Sequence, residues 1–258
     1  MSQSQEPQSP RNSNNTRSRL RLLLVTTILL LSCCILFSFT QTARDGEPWA
    51  YSAYNMHCCA LAMHCYEATH DQMPPAAVTD AQGHPLYSWR VLILPYIDEE
   101  ELYKQFHLDE PWNSPHNLTL FEKMPKTYKS SFWSGDEPGM TRFQVIVGPG
   151  TAFERDGMDL VDLAKGGWKT ILIVQSDTPV PWTKPEELTY DPNHPLPALM
   201  LQSKPVRFLG RELWRKHGYL VSFVDAEVKF IRDKTPESTI RSLITRGGNS
   251  TIDIAGLE

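Results

Sequence analysis

WAYSAYNMHCCALAMHCYEAT, residues 49–69, sets Met56, Cys59, Ala60 and Met63 at i, i+3, i+4 and i+7. At about 3.6 residues per turn, that spacing lines four apolar side chains along one side of a helix. The stretch therefore reads as an amphipathic helix with a core-facing stripe, and Pro74-Pro75 stops it because proline cannot continue the backbone ladder. Downstream, Asp80-Ala81-Gln82-Gly83 reads as a turn. Ser88–Phe106 is apolar and then acidic, expected as a helix broken at Pro95 that resumes with Ile97, Leu102 and Phe106. Ser114-Pro115 resembles an N-cap with proline at the first helical position, opening a short helix to about Lys123.

The texture then changes. Arg142–Val147 and Lys169–Val174 are β-branched runs bounded by glycine and proline, so both are expected as strands. Gly148–Gly167 between them reads as loop. Tyr219–Phe223 and Glu227–Ile231 flank Val224-Asp225-Ala226 as a hairpin. Thr235-Pro236-Glu237 opens a last helix through about Thr245, ended by Gly247-Gly248. Pro179–Pro197 reads as an extended surface loop. Helices first and an antiparallel sheet second make an α+β plan.

Upstream, Leu20–Phe39 reads LRLLLVTTILLLSCCILFSF, with Arg21 as its single charge. Twenty residues at about 1.5 Å each cross a hydrocarbon core of about 30 Å. A cleaved signal peptide would have a shorter apolar stretch and a small-x-small cut site, and Ser38-Phe39-Thr40 is a poor one. Residues 1–44 carry Arg11, Arg17, Arg19, Arg21 and Arg44 against Glu6, a net +4, so the rest of the chain holds −9 of the total −5. Arginines before an apolar run place the N-terminus in the cytoplasm and export the remainder of the chain. The net acidic body argues against nucleic acid, since its excess of carboxylates would repel phosphates. The expected organisation is a disordered cytoplasmic tail over residues 1–18, a transmembrane helix over 19–40 and an exported domain over 45–258.

Cys33 and Cys34 fall in the span. Cys58, Cys59 and Cys65 fall outside it, in an oxidising setting under this topology. On a helix Cys58 and Cys65 share a face but stand about 10 Å apart along the axis, too far to bridge.

Four stretches carry a family resemblance: Asn55-Met56 through His64-Cys65-Tyr66 to Met73-Pro74-Pro75-Ala76; Ser88–Ile97; Leu102–Phe106 with Leu108–Asn117; and Val180–Leu188. With them the chain resembles the bacterial domain-of-unknown-function family numbered 1559, a secretion-pseudopilin-like family related to type IV pilins. The resemblance implies a hydrophobic N-terminal helix leading into a pilin-like soluble domain, with a helix packed on an antiparallel β-sheet, in the bacterial cytoplasmic membrane. No enzymatic activity comes with it. The chain also departs from the pattern. Ser18-Arg19-Leu20 replaces the leader-peptidase site, and the span has no Glu. The Asp-Gly-x-x-Asn-Thr-Ile stretch reads Lys165–Ile171, a following Glu is Gln175, and an Asp-Gly hairpin is Asp225-Ala226.

For chemistry, the densest cluster is His57, Cys58, Cys59, His64, Cys65 and His70. Thiolate and imidazole suit zinc or copper, but the i, i+4 spacing of helical metal pairs is missing, and of the family pattern only His64 and His70 match. The metal candidates are His64, His70 and Cys65, set against a buried or capping role. Cys–His neighbours on one helix point along separate radii, a poor geometry for a nucleophilic site. Gly148-Pro149-Gly150 lacks the Lys-Ser/Thr of a phosphate loop. Asp98–Glu101 reads as a solvated helix start. The expectation is a non-catalytic, cofactor-free membrane protein of the cell envelope, serving surface assembly or secretion. Its partners would be the lipid bilayer and other envelope or pilin-like proteins. The alternative is an exported ligand-binding module for carbohydrate, peptide or cation, with the Gly148–Gly167 and Pro179–Pro197 loops around Trp182 and with Asp225 as candidate contacts.

Overall fold

The computed structural model describes residues 48–130, 138–165, 167–208 and 211–247. The predicted span Leu20–Phe39 and the tail before it lie outside them. Among the described residues no helix is long and apolar enough to cross a membrane. The chain divides into two units, Met1–Gly46 with Arg207–Leu213 and Glu47–Val206 with Trp214–Glu258. The second carries the helices and the sheet.

Helix α1 (Pro48–His70) opens on a proline, whose missing N–H costs nothing in a first turn. Its predicted stripe is fully buried at Met56, Cys59, Ala60 and Met63. The helix ends before the prolines: Asp71 turns left-handed at φ 57° and its N–H returns to the Glu67 carbonyl at 2.8 Å. This is a helix stop of the αL kind.

A small hairpin, β1 (Ala77–Thr79) and β2 (Pro85–Ser88), closes around the predicted turn. The Asp80 carboxylate accepts from the amides of Gln82 and His84, fixing the reversal. The helix expected over Ser88–Phe106 is instead three short pieces: α2 (Trp89–Leu92), a 3₁₀ turn (Leu94–Ile97) and α3 (Glu100–Tyr103). Pro95 sits early in the 3₁₀ turn, and the break falls at Asp98, which adopts φ 62°. Ser88 caps α2 by accepting from the Arg90 amide. Ser114 does accept from the Asn117 N–H, but the segment it opens, Asn117–Lys123, is 3₁₀ rather than α. A further 3₁₀ turn covers Lys126–Tyr128.

The main sheet has five strands. β3 (Met140–Gln144) pairs antiparallel with β5 (Ile171–Pro181), and β5 with β8 (Arg211–Phe223). β7 (Gln202–Phe208) comes next on the path, and β9 (Val228–Arg232) pairs with Gly218–Ser222 of β8 as the predicted hairpin. The first expected strand is cut at Val145. Beyond it β4 (Ile146–Val147) leaves to pair in parallel with β6 (Leu188–Thr189). The second is longer than expected, running through Pro179 to Pro181, so the region expected as a surface loop begins as sheet. The region expected as loop over Gly148–Gly167 also holds a short helix, α4 (Leu160–Lys165).

Neighbouring residues Leu220 and Val221 fall in different hydrophobic clusters, so the clusters occupy opposite faces of the sheet. One lies under α1. The other lies under the last helix, α5 (Glu237–Ile244), which presents Ile240, Leu243 and Ile244 to Val174, Val221, Phe223 and Ile231. The plan is therefore α+β with both sheet faces covered.

Gly148 lets the chain pass tightly at the β4–β6 pair. Its φ is 135°, and a Cβ there would sit 2.2 Å from the Tyr190 carbonyl oxygen. Gly148→Ala is expected to cost at least about 2 kcal/mol, read as a lowered denaturation midpoint.

Candidate functional site: a buried arginine–glutamate pair

Arg90 is fully enclosed, and almost nothing of the Glu187 side chain reaches solvent. α2 holds Arg90 and the segment leading into β6 holds Glu187. The guanidinium donates through Nη1 to Glu187 Oε1 at 2.8 Å and through Nη2 to Oε2 at 3.2 Å. Nε and Nη2 also donate to the Phe143 carbonyl at 2.8 and 2.5 Å, and Nη1 to Ser88 Oγ at 2.5 Å. Glu187 Oε2 accepts the Val145 amide at 2.8 Å. That amide is freed where β3 stops, so the strand break and the ion pair explain one another: the carboxylate takes a donor the sheet no longer uses. Tyr128 seals the site, donating its hydroxyl to the Arg90 carbonyl at 2.6 Å.

A charge pair taken out of water stays ionised only if its lone pairs and protons are matched. Burial pushes the Glu187 carboxyl up to about 7, against the pull of Arg90 and of the Val145 amide. The folded state therefore holds this proton more tightly than the unfolded chain, whose glutamate titrates near its ordinary 4.5. Its contribution to stability is full below pH 4.5 and is lost as pH rises through 7, a change of roughly 3 kcal/mol. Thermal midpoints measured from pH 5 to 8 should fall more steeply for the native chain than for Glu187→Gln, in which this titration is absent.

Nothing local in the sequence points to this pair. Both residues lie in stretches that carry the family resemblance, but ninety-odd positions apart, with no short-range pattern to couple them. Other residues of those stretches also serve as internal clamps. The Asn55 amide on α1 donates to the carbonyls of Lys126 and Lys129 at 3.1 and 3.0 Å. Asn117 donates to the carbonyls of His107, Glu110 and Pro111, and accepts the His107 amide.

The candidates read from sequence are dispersed. His64 Nε2 donates to the Val224 carbonyl and His57 Nδ1 to the Ala226 carbonyl, both at 2.8 Å. These two imidazoles on one face of α1 fasten the β8–β9 turn. His70 stacks on Tyr66 at 4.0 Å between ring centroids and bonds the Tyr66 carbonyl at 2.9 Å. Cys65 is exposed, and Cys58, Cys59 and Cys65 are all free thiols. Burial raises the Cys59 thiol far above its ordinary range, which keeps it protonated. Among the described residues, no group of three His, Cys, Asp or Glu side chains is placed to hold a metal ion.

Trp182 is fully buried, with Phe106 edge-on at 5.7 Å and Tyr128 stacked at 5.7 Å, and its indole N–H donates to the Phe121 carbonyl at 2.9 Å. Asp225 is on a different element, the hairpin turn, where it accepts Lys169 Nζ at 2.6 Å. Glu227 takes the same ammonium, and Lys169 with Lys229 holds its carboxyl below the ordinary value. The charge of Lys169 answers the two acids beside it. A cleft of about 220 Å³ opens between Gln72, Pro75, Ala77–Thr79, Asp156 and Gly157. That is below the size of most small-molecule sites.

The comparison with known families gives one match. The family described as "Protein of unknown function (DUF1559)" matches residues 50–167, a little under half the chain. Over that stretch the chain is similar to this family. The match takes in Asn55, Ser88, Arg90 and Asn117, whereas Trp182 and Glu187 lie beyond it. No curated protein and no solved structure matches the chain.

Proposed function

We propose that this DUF1559-related chain is a non-catalytic, membrane-tethered module of the bacterial cell envelope, pilin-like in plan, that serves surface assembly or secretion. The observation that carries the reading is the join between Leu20–Phe39 and α1. The apolar run ends nine residues before α1 begins at Pro48, and α1 is the helix on which one whole face of the sheet is packed. A helix seated directly after an anchor is how a sheet domain would be held close to a bilayer. The polar residues of the resemblance stretches support a structural role, because Asn55, Arg90, Asn117 and Glu187 are spent on fastening the chain to itself. The acidic body supports partners other than nucleic acid.

The test is fractionation of cells expressing the full chain, with alkaline carbonate washing and then protease treatment of intact spheroplasts. The chain should stay with the membrane pellet and lose its C-terminal domain to added protease. Release into the soluble fraction, or protection of the domain until the cells are lysed, would remove this reading. A thermal-shift screen against sugars, peptides and divalent cations should leave the midpoint unchanged. A reproducible rise would favour the ligand-binding alternative instead.

A further inference from the structure

The face of α1 turned away from the sheet has an order that its role in the core does not require. Tyr51, Tyr54, Cys58, Leu61, Cys65 and Ala68 stand at intervals of three and four residues over the whole helix. Tyr51, Tyr54 and Leu61 are 43, 66 and 44% exposed, Cys65 and Ala68 are exposed, and Cys58 is half-buried. A 3–4 repeat of apolar side chains is the seam of a two-helix coiled coil. It spans roughly 26 Å, from Tyr51 to Ala68. The opposite side of the same helix, at Ser52, Asn55, Met56, Cys59, Met63 and Tyr66, is the side already buried against the domain. Pro48–His70 also contains a single Asp, Glu, Lys or Arg, namely Glu67, which is turned inward to accept the Leu160 amide at 3.2 Å. An exposed helix face without a charge is unusual on a free surface.

We propose that α1 pairs in parallel with α1 of a second copy of this chain, along the Tyr51–Ala68 seam. Three observations select a second copy. A symmetric contact sets each residue against its own twin, so the seam must lack charge, and it does. Cys58 and Cys65 are seven residues apart and therefore share one heptad position, which a parallel pair brings opposite Cys58 and Cys65 of the other copy. An antiparallel pair would set each cysteine against the other seam position, occupied by Tyr54, Leu61 or Ala68. Finally, Leu20–Phe39 precedes α1, and two copies anchored by that run in one bilayer must point the same way. This last point rests on the proposed function; the first two do not. Confinement to a membrane would also raise the effective concentration of so short a seam.

The experiment uses the full chain in isolated membranes and in mild detergent, in a background of Cys33→Ser, Cys34→Ser and Cys59→Ser. Further variants keep only Cys58 or only Cys65. Diamide is the oxidant: it accepts the two electrons and two protons released as two thiols become one disulfide. Both single-cysteine chains should give a covalent dimer of this chain alone. Leu61→Lys should reduce its yield at least about tenfold without changing the far-ultraviolet dichroism. Leu118→Lys, an exposed position off the seam, should leave the yield unchanged. Overturning results are absence of the dimer in both single-cysteine chains, a dimer that Leu61→Lys does not weaken, or a crosslink only to a different protein. A chain that stays in the membrane pellet without crosslinking sinks this inference and leaves the proposed function standing. A chain that crosslinks as described but is freely soluble does the reverse.

Discussion

Arg90→Ala is expected to destabilise the domain by about 3–5 kcal/mol. The reason is what it leaves behind. Glu187 would keep its burial and the Val145 amide but lose both guanidinium bonds, the Phe143 carbonyl would lose the guanidinium donors, and the Ser88 hydroxyl would keep only the backbone amide of residue 90. Urea denaturation monitored by tryptophan fluorescence should show the loss as a lowered midpoint with little change in slope. The paired change Arg90→Met with Glu187→Leu should recover only part of the deficit: it removes the unpaired buried carboxyl but leaves the Val145 amide and the Phe143 carbonyl without these side-chain partners. If Arg90→Ala were within about 1 kcal/mol of the native chain, the pair would be a passenger and not a clamp.

Trp182→Ala should cost a similar amount, about 3–5 kcal/mol, for a different reason. It removes the ring that fills the space between Phe106 and Tyr128, and it strips the Phe121 carbonyl of its donor. The same variant separates a core role from a binding role for this residue. A core tryptophan lowers the denaturation midpoint whatever is added to the buffer. A binding tryptophan would leave the midpoint near native and abolish a ligand-induced thermal shift.

Both effects come from residues whose roles sequence periodicity cannot assign. The apolar stripe of α1, the β8–β9 hairpin and α5 are legible because each depends on neighbours within a few positions: a helical repeat, a short turn, a proline at a helix start. Ser88–Phe106 differs from the longer broken helix its pattern suggests because the 3₁₀ turn Leu94–Ile97 packs against α1 and the exposed Asp98, a residue type that tolerates the left-handed region, then turns the chain. The strand through Val145 is shorter than its β-branched run because the amide of that residue goes to Glu187, a partner contributed by a remote segment. The prolines before Trp182 are loop-like, yet they end β5, a strand paired with both β3 and β8, and so deliver the ring into the core. His57 and His64 resemble metal ligands by type and shared face. The hairpin carbonyls that occupy them are about 160 positions away in sequence and invisible locally.

By itself, then, the sequence determined the helix-then-sheet order, the stripe that α1 buries, the acidic charge of the body and the apolar run ahead of it. These are properties of short windows and of composition, where spacing and residue type act directly. Only the tertiary structure decided that α5 covers the second face of the sheet, that Arg90 and Glu187 meet, and that His57 and His64 of α1 are held by a turn. Each of these depends on contacts between segments far apart in the chain, and such contacts are fixed by burial and hydrogen-bond satisfaction across the whole fold.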